Sequence, residues 1–362
     1  MPMRFRSCET PMSRRAVVVC DQWLGSNGFA AMKALRRAGW SVAVVPEREF
    51  VPVRWRSVPA RVLRRLVRST AVREFNRELL RQAQQSGAEF LFVFKGPYVL
   101  PATLMELRRR GVRCYCFYPD VSFHVHGPYL PRALPQYDWI FTTKRFGIAD
   151  LREQLGVTHA SVLLHAYDAD LHRPVALSDA DHDRYDCDVS FIGSWSPKKE
   201  ELIHSVITAL PSLKLRVWGG QWYRATMLER KGGVIAGFEV TGEEYVRAIQ
   251  ASSINLGILS ERRRGASSGD NITSRTFHIP ASGGFMLHER TAEVLEIFRE
   301  DESIACYGSN EELITKLALH LQDPMRRGQI AHRGFEVVAA GHSWDHRIQE
   351  ILRHHDTHEG GS

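Results

Sequence analysis

No pair of cysteines in this sequence has the C-x-x-C spacing, although six are present, at positions 8, 20, 114, 116, 187 and 306. Without paired thiols and a nearby histidine at zinc spacing, a zinc ribbon or finger is excluded and no metal site is expected. Cys114 and Cys116 fall in the strand-like stretch VRCYCFY, where alternate residues share a face, and read as small fillers. No run approaches 18 apolar residues, so no transmembrane segment is expected. The opening MPMRFRSCETPMSRR lacks an apolar core and does not read as a secretion signal. There is no G-x-G-x-x-G stretch, which weakens any dinucleotide reading, and no repeat or low-complexity tract. A reduced, cytoplasmic setting is the expectation.

What is present is a chain of 362 residues, 44% hydrophobic, with eight Trp and seventeen Phe. That length exceeds what one hydrophobic core organises, so two domains are expected. The formal net charge is +7. This balance fits an anionic partner, whether a nucleotide, a phospholipid surface or a nucleic acid, and equally fits a basic soluble enzyme.

Apolar runs alternate with amphipathic ones. AVVVC reads as a strand, DQWLGSNG as a loop, FAAMKALRRAG as a helix and WSVAVVP as the next strand. EFLFVFKG, VRCYCFYPD, YDWIFTTK and ASVLLHAYD continue the strands, with LPATLMELRRRG and FGIADLREQLG as helices between them. The pattern predicts one open α/β domain over 15–168. The polar stretch DADLHRPVALSDADHDRYDCD has no period and reads as a linker. The alternation restarts at VSFIGSW and includes VIAGFEV as a strand and TAEVLEIF as a helix, giving a second α/β domain over 169–342. A last helix over 343–355 follows a domain that is already complete and is expected to pack back on the first. Two such domains present their strand carboxyl ends to a crevice, where ligands bind.

Three loops carry candidate chemistry. Ser26, Asn27 and Gly28 join the first strand to the first helix, where backbone N–H groups can meet an anion or a sugar oxygen. Gly193 and Ser194 end the corresponding strand of the second domain, and Lys198 and Lys199 open the next helix. Cations there oppose the helix dipole, which suggests an anionic ligand such as a diphosphate. The stretch SRTFHIPASGGFMLHE follows the charged loop SERRRGASSGD. In it Asp270 and Thr273 are candidate helix caps and Arg275 a cation in the first turn. His278, eight residues after Asp270, is expected on the same helix side, and Gly283 and Gly284 are expected to leave room above the helix end. In the first domain, Asp120, His124 and His126 of YPDVSFHVHGPY lie after a strand end, where each could bind a sugar or deprotonate a hydroxyl. Nine arginines against two acids between Val51 and Arg81, with Trp55 between Arg54 and Arg56, suggest an anionic or membrane-borne acceptor. A solvated amphipathic helix would show the same pattern.

The segments YDWIFTTK, CDVSFIGSW, LKLRVWGGQW, GEEYVRAIQASSINLGIL, SRTFHIPASGGFMLHE and HSWDHRIQEIL carry a resemblance. From about 88 to 353 the chain resembles the CgeB-like, spore-maturation branch of group 1 glycosyltransferases, which have the GT-B fold. The resemblance implies two Rossmann-like domains facing a central crevice, with the C-terminal helix crossing back. It implies a nucleoside-diphosphate sugar as donor, bound by the second domain, and an acceptor in the first. It also implies no essential metal or other cofactor, and retention at the transferred carbon. Asp270 matches the first acid of the family's acid–seven spacers–glutamate pattern, and His278 stands where the glutamate that holds the ribose is expected. Neutral imidazole can also hold a hydroxyl. Two rivals remain: a basic nucleic-acid-binding protein, which lacks a recognition motif here, and a degenerate member that binds donor without turnover. The acceptor is expected to be anionic or membrane-associated, with the inner membrane face as a second location for the protein.

Overall fold

The computed structural model describes residues 14–51, 58–228, 233–237 and 239–359. Arg54, Trp55 and Arg56, and the side chains of the apolar–arginine stripe at 61–67, lie outside the described residues, as do residues 1–13.

The first domain begins with β1 (Arg15–Val19), α1 (Asn27–Arg37), β2 (Ser41–Val44), the one-turn α2 (Glu47–Phe50) and the long α3 (Val58–Ser86). It continues through β3 (Phe90–Phe94), α4 (Pro101–Arg109), β4 (Arg113–Tyr118), the short α5 (Leu130–Ala133), β5 (Trp139–Thr142), α6 (Arg145–Leu155) and β6 (Ala160–Val162). The six strands form one parallel sheet in the order β2-β1-β3-β4-β5-β6. Parallel strands covered by helices on both faces must be apolar throughout, which is why RAVVV and FLFVF read as continuous runs. Ser26 caps α1, its Oγ accepting from Phe29 N, and Gly156 at φ 69° ends α6 in the left-handed conformation a glycine adopts freely.

The second domain runs α7 (Asp179–Tyr185), β7 (Cys187–Ile192), α8 (Pro197–Ala209), β8 (Leu215–Trp218), β9 (Ile235–Gly237), α9 (Gly242–Gln250) and β10 (Ser252–Gly257). Then come α10 (Arg275–Ala281), β11 (Met286–Glu289), α11 (Ala292–Leu295), β12 (Ala305–Tyr307), α12 (Asn310–Gln322) and α13 (Pro324–Gly341). Its sheet is also parallel, in the order β12-β11-β10-β7-β8-β9. Strand order reverses between β1 and β3 in one sheet and between β7 and β10 in the other. Crevices open at the carboxyl ends of such strands.

The last helix, α14 (Trp344–Glu359), leaves the second domain and packs along α1. Trp344, Ile348 and Ile351 join Ala30, Ala31 and Phe117 in the core on that face of the first sheet. Arg347 clamps the incoming connection: Nε, Nη1 and Nη2 donate to the carbonyls of Leu164, Gly341 and His165.

Several expected elements differ. The polar linker contains α7, started by a capping box in which Ser178 and Asp181 satisfy each other's backbone N–H groups. Local capping thus made a helix without apolar period. ASVLLHAYD pairs with β5 only over Ala160–Val162, VIAGFEV forms a strand only over Ile235–Gly237, and TAEVLEIF is helical only over Ala292–Leu295. Apolar side chains outside those spans are buried by tertiary packing instead, Leu163, Ala166 and Phe298 among them. Among the described residues, no helix is long and apolar enough to cross a membrane.

Candidate functional site

A cavity of about 780 Å³ opens at the carboxyl ends of the first sheet. Val19 ends β1 and Cys20 follows it, Lys95 follows β3, and Pro119 and Asp120 follow β4. Ser274 closes it from the second domain, so the cavity lies at the boundary between the two. Gly25, Ser26 and Asn27 line it, whereas Gly28 serves packing: a Cβ there would come within 2.7 Å of Cys20 Cβ.

Asp120 stands at the cavity wall with Lys95 Nζ and His126 Nε2 each 2.8 Å from its Oδ2. Lys95 has φ 70°, an unusual backbone for lysine, stabilised where its N–H donates to Phe117 O. Burial pushes the Asp120 carboxyl up, but the Lys95 charge and the His126 contact outweigh it and hold the group well below the usual carboxylate range. Asp120 is therefore an anion and a poor base. Glu47 is its opposite. Burial pushes its carboxyl up to about 8, against the N–H of Tyr98 that it accepts. At neutral pH Glu47 holds its proton.

His124 is not part of this wall. Its Nε2 lies 2.9 Å from Gln154 Oε1, its ring packs on Gly265, and Gln154 Nε2 donates to Gly265 O. Ser122 Oγ donates to Arg264 O at 2.6 Å, and Ser267 N donates to Asp150 at 3.0 Å. The first domain thus grips the serine-rich loop of the second, which gives that loop, and His124, an interdomain role that local sequence could not reveal.

The second corner of the site follows β7. Gly193 packs so closely that a Cβ would lie 2.7 Å from an Arg275 Nη1 and 2.8 Å from the Phe191 ring. Gly219 approaches closer still, its position for a Cβ only 2.1 Å from Gly193 O. Arg275 opens α10, lies over the Phe191 ring at 5.2 Å and donates from Nη2 to Ile258 O, but its buried Nε has no partner among the described residues. Lys199, only 4% exposed, donates to Ser194 O at 3.2 Å and Ser260 Oγ at 3.3 Å. Among the described residues neither cation has a carboxylate within ion-pair distance. Burial, aided by the Arg275 charge, brings Lys199 down to about 8. Lys198, the lysine expected at the diphosphate, pairs with Glu289 Oε1 at 2.5 Å, and it is the buried Lys199 that lies beside Ser194. Helical geometry turns adjacent residues to different sides.

The opening stretch of α10 also differs from expectation. Neither Asp270 nor Thr273 caps the helix, which starts at Arg275 with Ser274 as an N-cap that makes no side-chain bond. Asp270 lies in the loop before it, so no shared helix face relates it to His278. Its Oδ1 pairs with Lys144 Nζ of the first domain at 2.5 Å. His278 is 6% exposed and stacks on His172 with ring centroids 4.0 Å apart. Its Nε2 donates to Ala166 O at 3.1 Å and Asn27 Oδ1 at 3.3 Å, and burial holds it neutral. Gly283 and Gly284 leave no room: a Cβ on Gly284 would meet Ile249 at 2.5 Å and Asn255 at 2.9 Å, and one on Gly283 would meet Pro174 at 3.3 Å. Among the described residues, no group of three His, Cys, Asp or Glu side chains could hold a metal ion.

Residues 198–353 match a family model described as glycosyl transferase-like. No curated protein matches the chain in sequence. Among solved structures the chain is similar to sucrose-phosphate synthase from Thermosynechococcus elongatus, at 13% identity and TM-score 0.66, covering 96% of this chain and 100% of that one. It is similar to a glycosyltransferase from Rickettsia africae ESF-5, at 10% identity and TM-score 0.64, covering 97% and 100%. It is also similar to Anabaena HepE, solved in complex with UDP and glucose, at 11% identity and TM-score 0.63, covering 95% and 100%. At such identities the likeness is one of fold: two Rossmann-like domains, each a six-stranded parallel sheet, in the GT-B arrangement.

Proposed function

We propose that the protein is a glycosyltransferase of the CgeB-like type that moves a sugar from a nucleoside diphosphate to an acceptor hydroxyl. The observation that carries this reading is a pair of cations, the buried Lys199 beside Ser194 and the half-buried Arg275 against Gly193, whose Nε is buried. Buried charge is stable only when matched, and Arg347 shows how this chain matches one, with three carbonyls. Arg275 Nε has no such match. A diphosphate on this corner would supply the missing negative charge. The match of residues 198–353 to a glycosyl transferase-like family supports the same class.

In the transfer, the bond between the acceptor oxygen and the anomeric carbon forms as the bond from that carbon to the phosphate oxygen breaks. The electron pair leaves with the diphosphate, where Lys199 and Arg275 stabilise the growing charge without a metal. In a retaining course the acceptor proton passes to the departing phosphate oxygen. Asp120 then need not be basic: held ionised by Lys95 and His126, it accepts hydrogen bonds from sugar or acceptor hydroxyls in the cavity. His278 is at the seam of the domains, and this reading gives it the role of setting the position of α10.

Calorimetric titration with uridine, adenosine, guanosine and cytidine diphosphates tests the reading. One of them is expected to bind with unit stoichiometry, and Arg275→Gln to weaken it and to lower donor turnover about 100-fold, the size of losing one preorganised donor. Arg275→Gln protein with wild-type affinity and turnover removes the proposed site.

A further inference from the structure

Among the described residues that line the 780 Å³ cavity, one guanidinium has no carboxylate within ion-pair distance. Arg48 is paired with Asp21 at 2.7 Å, and Lys95 shares Asp120 with His126. Arg68, on the face of α3 that looks into the cavity, has no such partner among the described residues. Its guanidinium lies over the Tyr98 ring at 5.2 Å, its Nε is buried without a hydrogen-bond acceptor, and an Nη2 lies 3.5 Å from where a Cβ on Gly127 would stand. The residue before Gly127 is His126, so Arg68 and the Asp120 cluster face the same space. Glu47, the third acid of the lining, is protonated at neutral pH and does not neutralise it.

We infer that the acceptor carries an oxyanion, a phosphate or a carboxylate, and docks it on the Arg68 guanidinium while presenting its hydroxyl towards Asp120 and Ser274. This rests on the glycosyltransferase reading above and names its acceptor class. A planar guanidinium held on an aromatic ring offers two parallel donors to such a group. The apolar part of the same wall, with Trp23, Phe94 and Tyr98, excludes water and strengthens the attraction. A neutral Glu47 lets an anion enter where an ionised one would repel it. The geometry makes Arg68 a specificity residue for the acceptor, separate from the cations proposed for the donor.

Equilibrium dialysis with labelled inorganic phosphate, and with acetate as competitor, tests this on the whole chain. Wild-type protein is expected to take up two phosphates. Arg68→Gln should weaken one of them at least tenfold, Arg275→Gln the other, and Arg68→Lys should restore part of the first. Competition by acetate at the Arg68 site marks a carboxylate acceptor, and its failure to compete marks a phosphate. The binding nucleoside diphosphate should displace only the phosphate that Arg275→Gln removes. If it displaces neither, the donor reading fails while the Arg68 site stands. If Arg68→Gln and Arg68→Lys both bind phosphate and acetate as wild type does, the inference is overturned.

Discussion

Lys144 and Asp270 form an ion pair of 2.5 Å that joins the two domains, with side chains only 3% and 10% exposed. Lys144 Nζ also donates to Ile272 O at 3.1 Å, so it holds the chain just before α10. Removing one partner of such a pair leaves a charge buried and unmatched, at a cost of about 3–5 kcal/mol. Lys144→Met is therefore expected to lower the melting temperature clearly. The double variant Lys144→Met/Asp270→Asn should recover much of the loss, because neither charge remains. A double-mutant cycle by thermal or urea unfolding reads the coupling, and additive losses would show that the pair does not hold the domains.

Lys199 gives the protein a pH signature in the alkaline range. Its folded value of about 8 lies below the ordinary 10.5, because burial and the Arg275 charge disfavour the ammonium. Between these values the unfolded chain binds more protons than the folded one, so this residue makes stability rise with pH across that window. Comparing wild type with Lys199→Met should show the rise only in the wild type. Diphosphate affinity should move the other way and fall as pH passes 8, since the bound anion needs the proton in place.

Glu47 acts in the opposite sense. Its carboxyl, ordinarily near 4.5, titrates at about 8 when folded, chiefly through burial. From about pH 4.5 to 8 the folded state keeps a proton that the unfolded state has released, so stability contributed here declines as pH rises. Glu47→Gln mimics the protonated form and should remove that decline, a gain on the order of 2 kcal/mol at pH 8 after allowance for its partial exposure. Parallel stability–pH curves for the two proteins would place the titration elsewhere.

Trp344 is fully buried, packs edge-on against Phe117 at 5.2 Å between centroids, and donates from Nε1 to Asn27 Oδ1 at 3.2 Å. The same Oδ1 accepts from His278, so one amide joins α1, α10 and α14. Trp344→Ala is expected to cost about 3–5 kcal/mol through the cavity it leaves. Trp344→Phe should recover most of the packing but not the bond to Asn27. Chemical unfolding distinguishes the two, and equal losses would mean that packing contributes little.

The parts of the fold that could be read from sequence are those with dense local signals. The strands AVVVC, FLFVF and CDVSFI are apolar runs because both faces of a parallel sheet are covered. α7 escaped notice because a capping box, not an apolar stripe, starts it. In the site, Asp120, His126, Gly193 and Arg275 were accessible as residues after strand ends or at a helix start. Arg68 was legible only as one of nine arginines between Val51 and Arg81 that suggest an anionic acceptor. Lys95, Glu47 and Lys144 were not legible, because what singles them out is a partner gained or withheld across the fold. Lys198 and Lys199 are alike in sequence, and the position of Glu289 decides which of them is paired with a carboxylate. His124 stands two residues from His126 and yet faces the other domain.

The return of α14 to the first domain means that the polypeptide crosses between the domains twice, and the two crossings are tied to each other. Tyr167 N donates to His342 O at 3.1 Å, and Trp344 N donates to Tyr167 O at 3.0 Å. The two bonds make one isolated bridge between the crossings, which must break for one to slide past the other. The bridge at Tyr167 and Ser343 thereby couples the two crossings, so that neither slides without breaking bonds to the other. A single proteolytic nick in either crossing would leave the halves joined by the other. Deleting α14 would remove the Trp344 half of this bridge and leave Tyr167 held by His342 alone.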